Sequence, residues 1–259
     1  MSSRSRTIHL EVEGRFATLT LDRPPLNVLD LGMIDRLDAC LEEVSTLEGL
    51  QGVFLQGAGH RAFSAGVAIE DHTPEKVEPM LLGFHRALRR LFALEVITIA
   101  AIDGHCLGGG MELAACCDVV MSTPRSTFGQ PEIELGCFPP VAAALYPSLL
   151  GPARSADLLL TGRRISAAEA HRMGFVARIA EEGLVKGVAE LRDDLGSKSA
   201  VALRLTKKAL RAGSPRPELL EEALAETERI YLEELARCDD LEEGVRAFLD
   251  KRQPVWSHA

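Results

Sequence analysis

Apolar and polar residues alternate through Ile8, Leu10 and Val12, then again through Phe16, Thr18 and Leu19, on either side of Gly14. A period of two buries one face, so residues 7 to 22 are predicted to form an antiparallel hairpin. The period then lengthens. Met33, Ile34, Leu37, Leu41 and Val44 fall at helical spacing after Asp30, which predicts a helix capped by Asp30 and running to about Ser45, followed by a strand over Gly52 to Gln56. Val77, Leu81, Phe84, Leu88 and Phe92 share one face of a second helix predicted over residues 74 to 93, with Pro74 suited to its first turn. Strands follow over Val96 to Ile102 and Asp118 to Ser122, and from Ala153 onward almost every segment has helical periodicity.

Strands alternating with helices, then a helical tail, predict an α/β protein. A chain of 259 residues can bury a large core and fits one sizeable domain, alone or with a small appendage. No internal repeat is visible, and a break near Ser197 to Ser199 precedes the helices carrying Leu203, Leu210, Leu219, Leu224, Ile230, Leu235, Val245 and Phe248. Periodicity fits that tail equally to a helical subdomain and to a surface packed on another subunit.

Composition narrows the classes of function. With 46% apolar and 26% charged residues the chain is an ordinary globular one. A net charge of -9 argues against nucleic acid or an anionic membrane as partner, since both need a positive field. Cys40, Cys106, Cys116, Cys117, Cys137 and Cys238 contain no C-x-x-C pair and no Cys/His ladder for a metal, which fits reduced thiols packed as small core residues. MSSRSRTIHLEVEG at the start has no apolar targeting core, and no apolar run approaches the roughly 20 residues of a membrane helix, so the expected location is cytoplasmic.

Three segments carry candidate chemistry. In TIAAIDGHCLGGGMELAACCDVV a buried-looking strand passes through Gly108, Gly109 and Gly110 into a short helix. Such a turn lets backbone approach a ligand closely and offers amide N–H groups to an anion, although the cluster alone fits a tight strand-to-helix turn equally well. AFSAGVAIED, with Gly66, has the same small-residue character and alone fits an ordinary loop. TFGQPEIELGCFPP sets Glu132 directly after Pro131, and Glu112 lies on the helix that begins at the glycines. Two carboxylates converging on one water would suit acid/base work. His105 and Asp118 fit structural roles better than chemical ones, as do Phe84 and Phe92. Gly57-Ala58-Gly59-His60-Arg61-Ala62 follows a strand without opening a helix, which argues against a dinucleotide site. P-loop, H-E-x-x-H and G-x-S-x-G motifs are absent from the sequence.

Taken together, IDGHCLGGGMELAACCD, FSAGVAI and FGQPEIELG resemble the three signature segments of the enoyl-CoA hydratase/isomerase (crotonase) family. RPPLNVLD, LTGRRISAAEAHRMGFV and DDLEEGVRAFLDKRQPVW extend the likeness over most of the chain. The resemblance implies the ClpP/crotonase-like fold, a spiral of ββα units stacking two sheets, over residues 1 to 197. A C-terminal helical trimerisation region would follow over 198 to 259, in homotrimers or homohexamers. It also implies an acyl-CoA thioester substrate, with coenzyme A as part of the substrate and no metal or other cofactor. The amides of Val67 and Gly109 would form an oxyanion hole for the thioester carbonyl. Glu112 would orient and deprotonate water, and Glu132 would deliver a proton to carbon. Ala65, Gly66, Ile69, Gly108, Phe138 and Pro139 would contact substrate, and Arg6 or Arg23 are candidate cations for the CoA phosphates.

The sequence departs from the family pattern in two places. Gly136-Cys137-Phe138-Pro139-Pro140 replaces a Gly-rich turn, predicting a stiffer and bulkier acyl pocket, and Ala68-Ile69-Glu70-Asp71 lacks a cation common in that segment. GVAIEDHTPEKVEPML, FGQPEI and GCFPPVAAALYP are most similar to hydratases acting on cyclohexa-1,5-diene-1-carboxyl-CoA in aromatic-ring degradation. General short-chain enoyl-CoA hydration and enoyl-CoA isomerisation are the alternatives within the family. A non-catalytic acyl-CoA-binding protein of the same fold is the alternative outside enzymology.

Overall fold

The computed structural model describes residues 7–212 and 216–258, without the side chains of residues 216–220; Arg6 lies outside the described residues. The hairpin forms as its alternation predicts. Strands β1 (Ile8–Glu13) and β2 (Phe16–Leu21) pair antiparallel, with Ile8 opposite Leu21 and Glu13 opposite Phe16. Helix α1 (Leu31–Thr46) starts at Asp30, whose carboxylate accepts the Met33 N–H at 2.9 Å.

A unit of strand, strand and helix then recurs. Strands β3 (Gly52–Gly57) and β4 (Ala62–Ser64) precede α2 (Val77–Ala93). Strands β5 (Ile97–Ile102) and β6 (His105–Leu107) precede α3 (Gly109–Ala115). Strands β7 (Val119–Ser122) and β8 (Thr127–Gly129) lead to α4 (Pro140–Leu150). The first strand of each unit joins one sheet and the second strand another, which is the predicted ββα spiral. The chain continues through α5 (Pro152–Thr161), β9 (Ile165–Ser166), α6 (Ala167–Met173), β10 (Arg178–Ile179), α7 (Leu184–Gly196) and α8 (Ala200–Ala212). It ends with α9 (Arg216–Arg229), a π-helical turn over Ile230–Glu234 and α10 (Asp239–Leu249). The larger sheet has the order β1-β2-β3-β5-β7-β10 and the smaller β4-β6-β8-β9.

Both faces of the larger sheet are covered. Val53, Leu55, Ala100 and Ile102 face the main core, which includes Ile34, Leu37 and Leu41 of α1 and Leu81, Phe84 and Leu88 of α2. Phe54, Ile97, Ile99 and Ala101 point the other way, onto Leu191 of α7, with Leu203 of α8 packed at the edge. That explains why β5 is an unbroken apolar run rather than an alternating one.

Three expectations need correction. Helix α2 begins at Val77, not at Pro74, because residues 73–76 are spent on a turn in which Thr73 C=O accepts the N–H groups of Lys76 and Val77, both at 2.9 Å. The region after Ala153 is not wholly helical: β9 and β10 are two-residue strands that add to the two sheets, too short to leave a period in the sequence. Helix α4, starting at Pro140, was not anticipated, since its apolar residues lie all round rather than on one face.

Candidate active site

Strand β6 runs into three glycines, and each gives way to a different neighbour. Gly108 has φ 53° and ψ -133°, a conformation that disfavours any side chain, and a β-carbon there would lie 2.6 Å from Glu132 Oε1. A β-carbon on Gly109 would lie 2.9 Å from Val67 Cγ2, and one on Gly110 would lie 2.6 Å from the Ser64 carbonyl oxygen. The triplet therefore draws together the turn after β4, the start of α3 and Glu132.

Two amides are left free at this junction. The turn after β4 pairs with Leu29 through its flanking groups only: Leu29 N–H donates to Gly66 C=O and Ala68 N–H donates to Leu29 C=O, both at 2.9 Å. In that parallel arrangement the N–H of Val67 itself points away from the pairing. Gly109 opens α3, so its N–H has no carbonyl one turn back to bond. Neither amide donates to another group among the described residues. The two segments are in contact, since a β-carbon on Gly66 would come 3.2 Å from Gly109 N and one on Gly109 would come 2.9 Å from Val67 Cγ2.

The two carboxylates arrive from different directions. Glu112 sits in the first turn of α3, 4% exposed, and its Oε1 accepts the N–H of Ala142 at 2.9 Å. Ala142 is in the first turn of α4, where helix N–H groups lack internal partners and favour negative charge. Burial nonetheless dominates and pushes the Glu112 carboxyl up from 4.5 to about 7. Glu132 lies on a short 3-10 turn, Pro131–Leu135, closed by Gly136 in the left-handed region. Its Oε2 is sealed from solvent and has no hydrogen-bond partner. Burial, and then the charge of Glu112, raise Glu132 well above the usual carboxylate range. Burial thus favours the protonated form of both carboxyls, and the charge of either one raises the other, so the two titrate as a pair.

A cavity of about 490 Å³ opens over these groups. Glu112, Glu132, Val67, Gly109, Ala65, Gly66, Ile69, Gly108, Phe138 and Pro139, all singled out from the sequence, line it. Arg23 lines it as well, with its guanidinium 2.9 Å from Asp30 Oδ2. Phe138 packs against Tyr231 of the π-helical turn, ring centres 5.3 Å apart, which gives the bulky wall expected of the Phe-Pro-Pro turn. His105 is absent from the wall and its Nδ1 lies 2.7 Å from Thr127 Oγ1, a packed role as expected. Burial raises the Cys106 and Cys117 thiols well above their ordinary range, so they are inert core residues. Asp71, in the segment lacking a family cation, is structural: it accepts the Leu31 N–H at 3.2 Å and pairs with Lys76 at 3.0 Å.

Sequence reasoning missed several lining residues. Phe84, assigned to the core alone, is buried and also borders the cavity, and Leu81, His85, Leu135, Tyr231 and Phe248 line it too. No local motif marks them. Tyr231 follows α9, which packs on α4, and Phe248 is on α10, which packs on the Pro131–Leu135 turn, so tertiary packing alone brings them there.

Residues 11–259 match the family model described as enoyl-CoA hydratase/isomerase. The chain belongs to this family. Among relatives, the cyclohexa-1,5-dienecarbonyl-CoA hydratase of Thauera aromatica is 36% identical over 97% of this chain and 96% of its own. The short-chain-enoyl-CoA hydratase of Clostridium acetobutylicum is 33% identical over 94% and 95%. An enoyl-CoA hydratase from Mycobacterium avium subsp. paratuberculosis superposes with a TM-score of 0.86 at 28% identity, covering 97% of this chain and 98% of that one. The two-sheet spiral described above is thus the crotonase fold.

Proposed function

We propose that the protein adds water to a conjugated enoyl-CoA thioester, with cyclohexa-1,5-diene-1-carboxyl-CoA as substrate and 6-hydroxycyclohex-1-ene-1-carboxyl-CoA as product. The observation that carries this reading is the pair of buried carboxylates, Glu112 and Glu132, in one cavity with two unbonded amides. The thioester oxygen accepts from the N–H groups of Val67 and Gly109. Glu112, ionised, takes a proton from water as its oxygen attacks the β-carbon, and electron density moves to the thioester oxygen. Removing one such donor typically costs about 3 kcal/mol of transition-state stabilisation. Glu132, still protonated, then delivers its proton to the far end of the conjugated system, leaving a double bond at the α-carbon. Exchange with solvent restores both carboxyls. Water is the only co-reactant, and the carbon that gains the hydroxyl is oxidised by as much as the carbon that gains hydrogen is reduced, so the step needs no redox cofactor; the carboxyls move the protons and the two amides take the charge without a metal.

The ring substrate is supported by the likeness to the Thauera enzyme and by the flat wall formed by Phe138 and Pro139. Arg23, the one arginine or lysine among the described lining residues, is the candidate for the CoA phosphates. Homotrimers or homohexamers built through residues 198 to 259, located in the cytoplasm, complete the proposal. The test is turnover of the ring dienoyl-CoA beside crotonyl-CoA, with chromatography of the products. Preference for the diene supports the reading, preference for crotonyl-CoA returns the protein to general enoyl-CoA hydration, and a shifted double bond without uptake of water would replace hydration by isomerisation.

A further inference from the structure

The turn that carries Glu132 is backed from outside the cavity. No residue of Pro131–Leu135 is buried outright, and of its apolar side chains only Leu135 packs partly against the core. Two glycines show what supports it instead. A β-carbon on Gly136 would lie 2.7 Å from the Asp240 carbonyl oxygen and 3.1 Å from Cζ3 of Trp256, and one on Gly244 would overlap the Leu135 carbonyl. Helix α10 and the segment after it therefore press on the closing residues of the turn, while Gly162, after α5, meets Ile133 and Glu134.

The segment after α10 folds back on its own helix. Asp240 Oδ1 accepts the Ser257 N–H at 2.6 Å and the Ser257 hydroxyl at 2.8 Å, and Oδ2 accepts the His258 N–H at 3.1 Å. Glu243 Oε1 accepts the Val255 N–H at 2.7 Å, and its Oε2 is paired with Arg252 Nη2 at 2.8 Å. These bonds bracket Trp256, the one tryptophan of the sequence, and seat its half-buried ring on Gly136. The Ser257 donors hold Asp240 below the usual carboxylate range, so this anchor stays ionised at neutral and alkaline pH. Neither Trp256 nor Asp240 lines the cavity, whereas Leu135, Phe138 and Phe248 do. We propose that residues 255–258 are a strap, anchored on Asp240 and Glu243, in which Trp256 is a positioning residue for Glu132: its ring fixes the Pro131–Leu135 turn where the carboxyl meets the substrate. The role of Glu132 as proton donor rests on the hydration reading above; its dependence on the segment after α10 goes beyond that reading.

Hydration by the full-length protein tests this, followed across pH by loss of conjugated absorbance from cyclohexa-1,5-diene-1-carboxyl-CoA or crotonyl-CoA, whichever is turned over faster. Misplacing a reacting group by about 1 Å costs about 100-fold in rate, so Trp256→Ala should lower kcat about tenfold to 100-fold while KM stays within about twofold. A loosened turn also admits water to the Glu132 carboxyl and removes part of the desolvation that raises it. The alkaline limb of kcat/KM should therefore move down by about one pH unit. Asp240→Ala, which frees the strap but keeps the ring, should produce both changes and provides the comparison if Trp256→Ala does not fold. Parental kcat and a parental alkaline limb in the folded variants would overturn the proposal. So would a fall in kcat with the limb unmoved, since loss of packing alone would then account for it. Glu132→Gln, assayed beside them, separates the two readings: full activity there removes the hydration mechanism, whereas an inactive Glu132→Gln beside strap variants that match the parent removes the strap alone.

Discussion

Replacing Glu112 by Gln should make the protein more stable at alkaline pH as it makes it inactive. The carboxyl is 4% exposed and is pushed from 4.5 to about 7 by burial, in spite of the hydrogen bond from Ala142. Between those two values the native protein holds a proton that the unfolded chain has already released, so stability falls as pH rises through this window and levels off above it. At about 1.4 kcal/mol per pKa unit the displacement is worth roughly 3 to 4 kcal/mol, most of it accruing between about pH 5 and pH 8. Gln keeps an oxygen for the Ala142 N–H but has no charge to bury. The defect introduced by its NH2 group is the same at both pH values and cancels in the comparison. Urea unfolding of both proteins at about pH 5 and about pH 8, at one protein concentration, gives the difference directly. The variant should gain roughly 2 to 3 kcal/mol on the parent between the two conditions. A difference that stays constant within about 0.5 kcal/mol would refute the argument that Glu112 titrates near neutrality in a desolvated site.

Other outcomes follow from the same geometry. Glu112→Gln and Glu132→Gln should each lower kcat for hydration by about 100-fold to 10,000-fold, measured by loss of the conjugated ultraviolet absorbance, and an active double variant would contradict the two-carboxylate mechanism. The profile of kcat/KM against pH should fall on the acid side below about 7, where Glu112 becomes protonated, with the alkaline limb well above it because Glu132 holds its proton tightly. Gly108→Ala should abolish turnover while the chain still folds, since the new methyl would lie 2.6 Å from Glu132 Oε1, and a crystal structure should show that carboxylate displaced. Lys207→Ala should cost about 2 kcal/mol in urea unfolding, because Lys207 is 3% exposed and contacts both Asp118 and the Val96 carbonyl, and its loss leaves Asp118 with Arg211, 4.0 Å away, as its ionic partner.

The sequence made the hairpin, α1 and the strands of the larger sheet legible because each buries one face, or both, and hydrophobic periodicity records that directly. It was silent on β9 and β10, whose two residues each are placed by the edges they join. The chemistry was legible where backbone geometry demands a residue type. Gly108, Gly109 and Gly110 mark three close approaches with Glu112 just after them, and Glu132 directly follows Pro131 on the turn that left-handed Gly136 closes. His85 and Tyr231 were illegible for the opposite reason. Helix α2 has a regular apolar stripe that absorbs a histidine without breaking its period, and its partner Glu228 lies 143 positions away.

The pairing of Leu29 with the groups flanking Val67 leaves a spectroscopic handle. Ala68 N–H is bonded to Leu29, whereas the adjacent Val67 N–H and, across the junction, Gly109 N–H are not bonded within the chain. In the free protein those two amides should exchange with deuterium quickly beside a protected neighbour, and a bound thioester carbonyl should slow both together. On the proposed oxyanion role, these would be a two-proton reporter of carbonyl docking, read at single-residue resolution by nuclear magnetic resonance, with Ala68 as its internal reference.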